Sequence, residues 1–319
     1  MNLGYLVEQW AHRQPDKAAV VFQNVRLSYL QFDERINQLC HFLIGMGLKK
    51  GDRLAVLSYN NHQFMEIFIA CGRIGLIMVP LNFRLVGKEL EYQLNNCGAS
   101  ILFLGEEFLE VIESICHQLS SVKKLVVLND TATDVATGKM EAYETLIAQY
   151  PKSPVQLSYE VDIQDEFIII YTSGTTGKPK GACLTQMSVL FTSMNQIIDS
   201  QCTTKDINLT MAPMFHVGGS LILTFPMLHV GGTIVIMKSF NPVEALALIR
   251  SEKITVMFAV PAMWTAIMQV PGIETADLSS LRFTVSGGAS QPVAVMKKIH
   301  ATFHVPFTEG YGLSEAASS

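Results

Sequence analysis

The strongest constraint on the fold is an alternation of short apolar runs with helical stretches that begins near Arg53. Strand-like runs at 53–58, 77–81, 101–104 and 124–128 are separated by helical patterns at 62–75, 86–95 and 106–119. Runs of four to six residues that stay apolar throughout read as strands covered on both faces. Joined by helices, they predict a parallel α/β sheet. The alternation resumes with strands at 166–172, 182–185, 208–212, 233–237, 255–260 and 282–286, and with helices at 187–199, near 220–228, and at 243–252, 262–268 and 292–303. Before it, Leu3, Leu6, Val7 and Trp10 mark one helical stripe ended by Pro15. AAVVF, Gln23-Asn24 and VRLSY suggest a hairpin, and Ser28 with Gln31 a capping box.

Residues 129–160 break the pattern with TATDVATGK, a short helical patch at 140–150, and Pro151 and Pro154, and read as a connecting excursion. The expected organisation is one domain over 1–319 with subdomains at 52–205 and at 1–51 plus 206–319.

A net charge of -5 without any run of five basic residues excludes a typical nucleic-acid binder. The N-terminus MNLGYLVEQW lacks a cationic leader and carries Glu8. The most apolar window, 220–237, is interrupted by Pro226, His229, Gly231 and Gly232. A cytoplasmic protein without a transmembrane segment is expected, and a homodimer is left open. Cys40, Cys71, Cys97, Cys116, Cys183 and Cys202 are far apart and read as reduced core thiols. His300 and His304 have a metal-pair spacing with no third ligand, and zinc is not expected.

The segment YTSGTTGKPKG, 171–181, follows an apolar strand with three glycines, four Ser and Thr hydroxyls, and two lysines. Glycines leave backbone N–H groups uncovered, and lysines concentrate positive charge in a net-acidic chain, so the loop is a candidate phosphate clamp. A Walker loop needs four residues between its glycines and a hydroxyl after the lysine. Here two residues separate Gly174 from Gly177, and Pro179 follows Lys178, so that reading fails. A plain Gly-rich surface turn is the bland alternative.

The loop resembles the phosphate-binding signature of the adenylate-forming enzymes, the AMP-dependent synthetase and ligase superfamily that includes acyl-CoA synthetases. MAPMFHVGG (211–219) looks like that family's segment beside the carboxylate site. SGGASQP (286–292) resembles its adenine-side turn, and TEGYGLSEA (308–316) its adenine and Mg²⁺ motif. The four segments occur in family order along the chain.

The resemblance implies the large N-terminal domain of that family, with two packed mixed or parallel sheets flanked by helices. It also implies ATP and Mg²⁺, with coenzyme A as co-substrate. Thr172, Ser173, Gly174, Thr175, Thr176, Gly177 and Lys180 would hold the β- and γ-phosphates. Gly288, Ala289 and Ser290 would lie along the adenine, with Glu309, Gly310, Tyr311 and Gly312 on its other side. Ser314 would reach the α-phosphate and Glu315 would bind Mg²⁺. His216 would stand at the acyl entrance, with Lys180 and His216 as the catalytic candidates. Thr185-Gln186 departs from the family's frequent Thr-His, with a local effect expected.

The family's chains continue with an Asp for the ribose, a hinge and a C-terminal lid bearing a lysine. These are not among the 319 residues, so the expectation is a weakly active or inactive fragment.

The implied reaction is activation of a carboxylic acid to an acyl adenylate and then to acyl-CoA. His216, where amino-acid-activating relatives carry an Asp, disfavours an amine-bearing acid, because a buried ammonium needs a counter-charge. The apolar stretch 217–228 suits a fatty or aryl chain. A nucleophile-elbow hydrolase is excluded, because no Asp or His follows Ser314. A nucleotide- or acyl-binding module without turnover stays open.

Overall fold

The computed structural model describes residues 2–129, 140–172 and 177–317. In chain order the elements are α1 (Leu3–Arg13), β1 (Ala18–Phe22), β2 (Val25–Ser28), α2 (Tyr29–Gly45), β3 (Arg53–Leu57), α3 (His62–Ile74), β4 (Ile77–Pro80), α4 (Gly87–Cys97), β5 (Ile101–Gly105), α5 (Leu109–Ile115) and β6 (Lys124–Leu128). They continue with β7 (Met140–Ala142), α6 (Tyr143–Ile147), β8 (Glu166–Thr172), β9 (Lys180–Thr185), α7 (Gln186–Asp199), β10 (Ile207–Thr210), α8 (Val217–Ser220), α9 (Thr224–Val230) and β11 (Thr233–Ile236). The last are α10 (Pro242–Ser251), β12 (Val256–Ala259), α11 (Pro261–Ile267), β13 (Phe283–Gly287), α12 (Val293–Phe303) and β14 (Phe307–Gly310).

The described strands form two mixed sheets of seven, ordered β7-β6-β5-β3-β4-β8-β9 and β14-β13-β12-β10-β11-β1-β2. Each is parallel except at one edge, where β9 runs antiparallel to β8 and β2 antiparallel to β1. All-apolar strands such as Ile101–Gly105, buried at every position, need cover on both faces, and the helices supply it.

The chain divides into two compact units, residues 1–15 with 30–187, and residues 16–29 with 188–319. This differs from the division expected at 52–205. Residues 1–15 join the first unit because α1 crosses α3 backbone to backbone: a Cβ on Gly4 would lie 2.4 Å from the Cβ of Arg73. Arg73 then donates to the Gly4 carbonyl, to Asn37 Oδ1 and to Asp33 Oδ1 at 3.0, 2.6 and 2.5 Å. Residues 30–45 follow because Arg35 pairs with Glu66, which is wholly buried, and with Glu144, both at 2.7 Å. Only the β1–β2 hairpin crosses over, pairing β1 in parallel with β11.

The core of the first unit gathers Leu57, Val79, Leu102, Leu104 and Ile112. That of the second surrounds the fully buried Trp264, whose indole N–H donates to the Val285 carbonyl at 3.2 Å. The helix expected over 106–119 is broken: α5 is flanked by 3₁₀ turns at Glu106–Phe108 and Cys116–Gln118. The helix expected near 220–228 is two short ones, α8 and α9. Among the described residues no helix is long and apolar enough to cross a membrane.

Candidate functional site

In the second unit the parallel register does the assembling. Strands β10, β12, β13 and β14 are parallel neighbours, so the segments that follow them all leave the same carboxyl edge. That edge is where open α/β sheets bind ligands. The stretch after β10 carries His216, the stretch after β13 carries Gly288, Ala289 and Ser290, and the stretch after β14 carries Tyr311, Gly312, Ser314 and Glu315.

Ser286 aligns with Glu309, and Gly287 with Gly310. Beyond the pair, Gly288 turns the chain with φ +83°, a conformation open to glycine and costly to other residues. Gly288, Ala289 and Ser290 are exposed. Glu309 reaches across to the turn: its Oε1 accepts from the Gln291 backbone N–H at 2.6 Å. The Ser286 hydroxyl donates to Gln291 Oε1 at 3.1 Å, while Gln291 Nε2 is buried without a hydrogen-bond partner. One carboxylate oxygen of Glu309 therefore braces the turn.

Past β14 the chain is open. Tyr311 is 84% exposed, a bare ring face on the carboxyl edge. Ser314 and Glu315 lie in a single 3₁₀ turn, Ser314–Ala316, with Glu315 exposed. Glu315 makes no hydrogen bond or ion pair with a described residue, so its carboxylate is available to a cation. Among the described residues no group of three His, Cys, Asp or Glu could hold a metal. His304 leaves α12 in the left-handed region, φ +54°, which breaks the helical spacing it shares with His300 in the sequence.

His216 precedes α8, is exposed, and has its ring 4.2 Å from that of Phe215. Its carbonyl accepts from the backbone N–H groups of Gly219 and Ser220 at 3.0 and 3.2 Å and from the Ser220 hydroxyl at 3.0 Å. Gly219 is forced: a Cβ there would lie 2.1 Å from the Pro213 carbonyl oxygen.

The first unit contributes the β8–β9 hairpin. Thr172 and Lys180 are register partners at its open end, and Thr172 Oγ1 donates to the Lys180 carbonyl at 3.5 Å. Lys180 is exposed. Gly177 has φ +89°, with no atom of a described residue within 4 Å of a Cβ position. Ser173, Gly174, Thr175 and Thr176 lie outside the described residues.

Two tyrosines that composition gave no reason to select brace the loop end of the hairpin. Tyr92 on α4 donates to the Pro179 carbonyl at 3.3 Å, and its ring lies 5.7 Å from the Lys178 ammonium. Tyr171 donates to Asn96 Oδ1 at 2.6 Å, and burial raises its phenol well above the ordinary range. A Cβ on Gly181 would meet the Ile169 side chain at 2.6 Å, so the two strands approach more closely than a larger residue would allow.

The chain belongs to the AMP-binding enzyme family, whose pattern it matches over residues 7–319. It is 32% identical over 316 residues to a feruloyl-CoA synthase from Amycolatopsis sp, covering 99% of this chain and 60% of that protein. It is also 32% identical over 319 residues to an indoleacetate–CoA ligase from Aromatoleum aromaticum, with coverage of 99% and 60%. The chain thus spans less than two thirds of the length of these relatives. Among solved structures it resembles the inhibitor-bound N-terminal domain of FACL13 from Mycobacterium tuberculosis. The TM-score is 0.88 and the identity 27%, covering 99% of this chain and 77% of that one.

Proposed function

We propose that this chain carries the nucleotide and acid sites of an enzyme that activates a carboxylic acid as its acyl adenylate and passes the acyl group to coenzyme A in the cytoplasm. The observation that carries this reading is the shared carboxyl edge, which gathers 211–219, 286–292 and 308–316 onto one sheet from positions up to about a hundred residues apart. Two relatives named for CoA ester synthesis or CoA ligation support the reaction class.

In this reading Thr172, Gly177 and Lys180, with the four residues between Thr172 and Gly177, hold the β- and γ-phosphates. Gly288, Ala289 and Ser290 line one side of the adenine. Gly310 and the open ring of Tyr311 supply the other, with Glu309 fixing the turn and Gly312 letting the backbone approach. Ser314 donates to the α-phosphate.

Glu315 fits Mg²⁺, because a hard cation that keeps most of its waters asks few oxygens of the protein, and this carboxylate is exposed. A bound Mg²⁺ would supply charge compensation for the phosphate oxygens. The acid's carboxylate oxygen attacks the α-phosphorus in line, the bond from that phosphorus to the bridging oxygen breaks, and pyrophosphate leaves with its charge met in part by Lys180. The thiolate of coenzyme A then attacks the acyl carbon and AMP departs. Positioning and charge compensation are the protein's main contributions.

The acid is a fatty or aryl acid without an amine. His216 occupies the position after Phe215 where a buried ammonium would need a carboxylate.

Acid-dependent exchange of labelled pyrophosphate into ATP, measured with fatty, aryl and amino acids, tests this reading. Exchange is expected with the first two classes. Lys180→Ala is expected to lower it by about 10²–10³, the size seen when one charge stabiliser is removed. ATP binding without exchange for any acid would instead identify a binding module, and unchanged ATP affinity in Lys180→Ala would remove the phosphate clamp.

A further inference from the structure

We infer that Thr224 is a positioning residue for the carboxylic acid site, acting through the Gly218–Gly219 turn beside His216 as the last member of a one-way chain of buried hydroxyl and amide groups. This rests on the reading of 211–219 as the acid-side segment.

The two faces of β10 differ in chemistry. Leu209 and Met211 enter the apolar core around Trp264. Asn208 and Thr210, on the other face, are 1% and 3% exposed. Neutral polar groups buried this deeply need partners.

The partners form one chain with one direction. Thr224 Oγ1 donates to the Gly219 carbonyl at 2.6 Å, which spends its single proton. Thr210 Oγ1, 2.8 Å from Thr224 Oγ1, must therefore be the donor in that contact. With the Thr210 proton spent as well, Asn208 Nδ2 donates to Thr210 at 3.0 Å. Asn208 Oδ1 begins the chain without a hydrogen-bond partner. Asn208 also lines a small cavity with Gly218, Leu223 and Phe258.

The far end of the chain meets a turn with no slack. Gly219 N–H is bound to the His216 carbonyl, and the place of a Cβ on Gly219 is taken by the Pro213 carbonyl. The turn can neither move to replace a lost bond at its carbonyl nor release His216 from the cap. Removing the Thr224 hydroxyl leaves that buried carbonyl unpaired, and the strain falls on the segment carrying His216.

Thr224→Val keeps the shape and removes the hydroxyl, while Thr224→Ser keeps the hydroxyl. In the pyrophosphate exchange assay, Thr224→Val is expected to raise KM for the acid about tenfold, with KM for ATP unchanged. Thr224→Ser should restore the acid KM. Thr210→Val, one link earlier, should show the same pattern at smaller size, and replaces Thr224→Val if that variant does not fold.

KM values for acid and ATP that rise together, or an acid KM that does not move, would overturn the inference. The imidazole signals of His216 in NMR give a readout that needs no turnover. They should shift in Thr224→Val and return in Thr224→Ser, and signals that stay fixed in both refute the relay. If the wild-type protein shows no acid-dependent exchange while these signals respond as expected, the acid reading has failed and the relay stands.

Discussion

The two units have the same sheet plan and each buries an ion pair, Arg282 with Asp206 in the second, but they differ in the polar groups set behind the segments of the candidate site. The first buries charge: Arg35 is forked between Glu66 and Glu144, Tyr143 donates to Glu66 at 2.7 Å, and Arg73 is paired with Asp33. The second places neutral hydroxyls and an amide behind its candidate acid segment. An ion pair is close to all-or-none, because a lone buried charge costs far more than a lone hydroxyl. A hydroxyl chain fails in small steps, which suits a surface that must be adjusted to a substrate. The candidate residues follow the same division. Those of the second unit are gathered by long-range parallel register, and those of the first sit on one local hairpin.

The sharpest test of this contrast removes the guanidinium. Arg35→Met is expected to destabilise folding by about 3–5 kcal/mol in urea denaturation, the cost of leaving buried carboxylates unpaired. The pH dependence should change with it. Desolvation works to raise the Glu144 carboxyl, but hydrogen bonds from His62, Arg35 and Gln63 together with the Arg35 charge prevail and hold it down to about 2, against an ordinary 4.5. The folded state therefore binds that proton less readily than the unfolded chain. The stabilisation is complete above pH 4.5 and is lost as pH falls toward 2. In Arg35→Met that acid-side slope should flatten or reverse. An unchanged slope would show that Arg35 does not hold the carboxyl down.

The same substitution at two glycines separates the units next. Gly219→Ala drives a Cβ into the Pro213 carbonyl, a backbone atom that cannot rotate away. It should cost about 3 kcal/mol, the upper end for overpacking. Gly177→Ala meets no described residue and carries the strain of φ +89°, about 1 kcal/mol. Thermal melting of both variants checks the order. Equal losses would mean that the hairpin glycine is as confined as the one beside His216.

What the sequence disclosed follows from the same physics. Most parallel strands of both sheets were legible because strands covered on two faces must be apolar throughout, as in Ile101–Gly105. β14 was missed because FTEG has one apolar residue and becomes a strand only by pairing with β13. β7, three residues long, fell inside the expected excursion. The unit boundary was hidden because it depends on Arg35 and Arg73 meeting residues 31 to 109 positions away.

The candidate site was legible as four motifs, since glycine, hydroxyl and lysine patterns survive without a structure. The supports of those motifs were not. Thr224, Gln291 and Tyr92 act through hydrogen bonds that neither composition nor periodicity records. Gln291 lies inside SGGASQP and Thr224 inside the apolar stretch 217–228, and that nearness was the available hint.

The smallest expected effect tests those supports on the hairpin side. Tyr92 reaches the Pro179 carbonyl at 3.3 Å, a long and neutral hydrogen bond, while its ring faces the Lys178 ammonium. Tyr92→Phe removes the first contact and keeps most of the second. It should weaken ATP binding by about 1 kcal/mol or less, near a fivefold rise in Kd by calorimetry. Tyr92→Leu removes both contacts, and the difference between the two variants measures the cation–π share, about 0.5–1 kcal/mol at an exposed site. If both variants bind ATP as the wild type does, the hairpin is positioned by its own strand pairing, and the brace belongs to α4's stability alone.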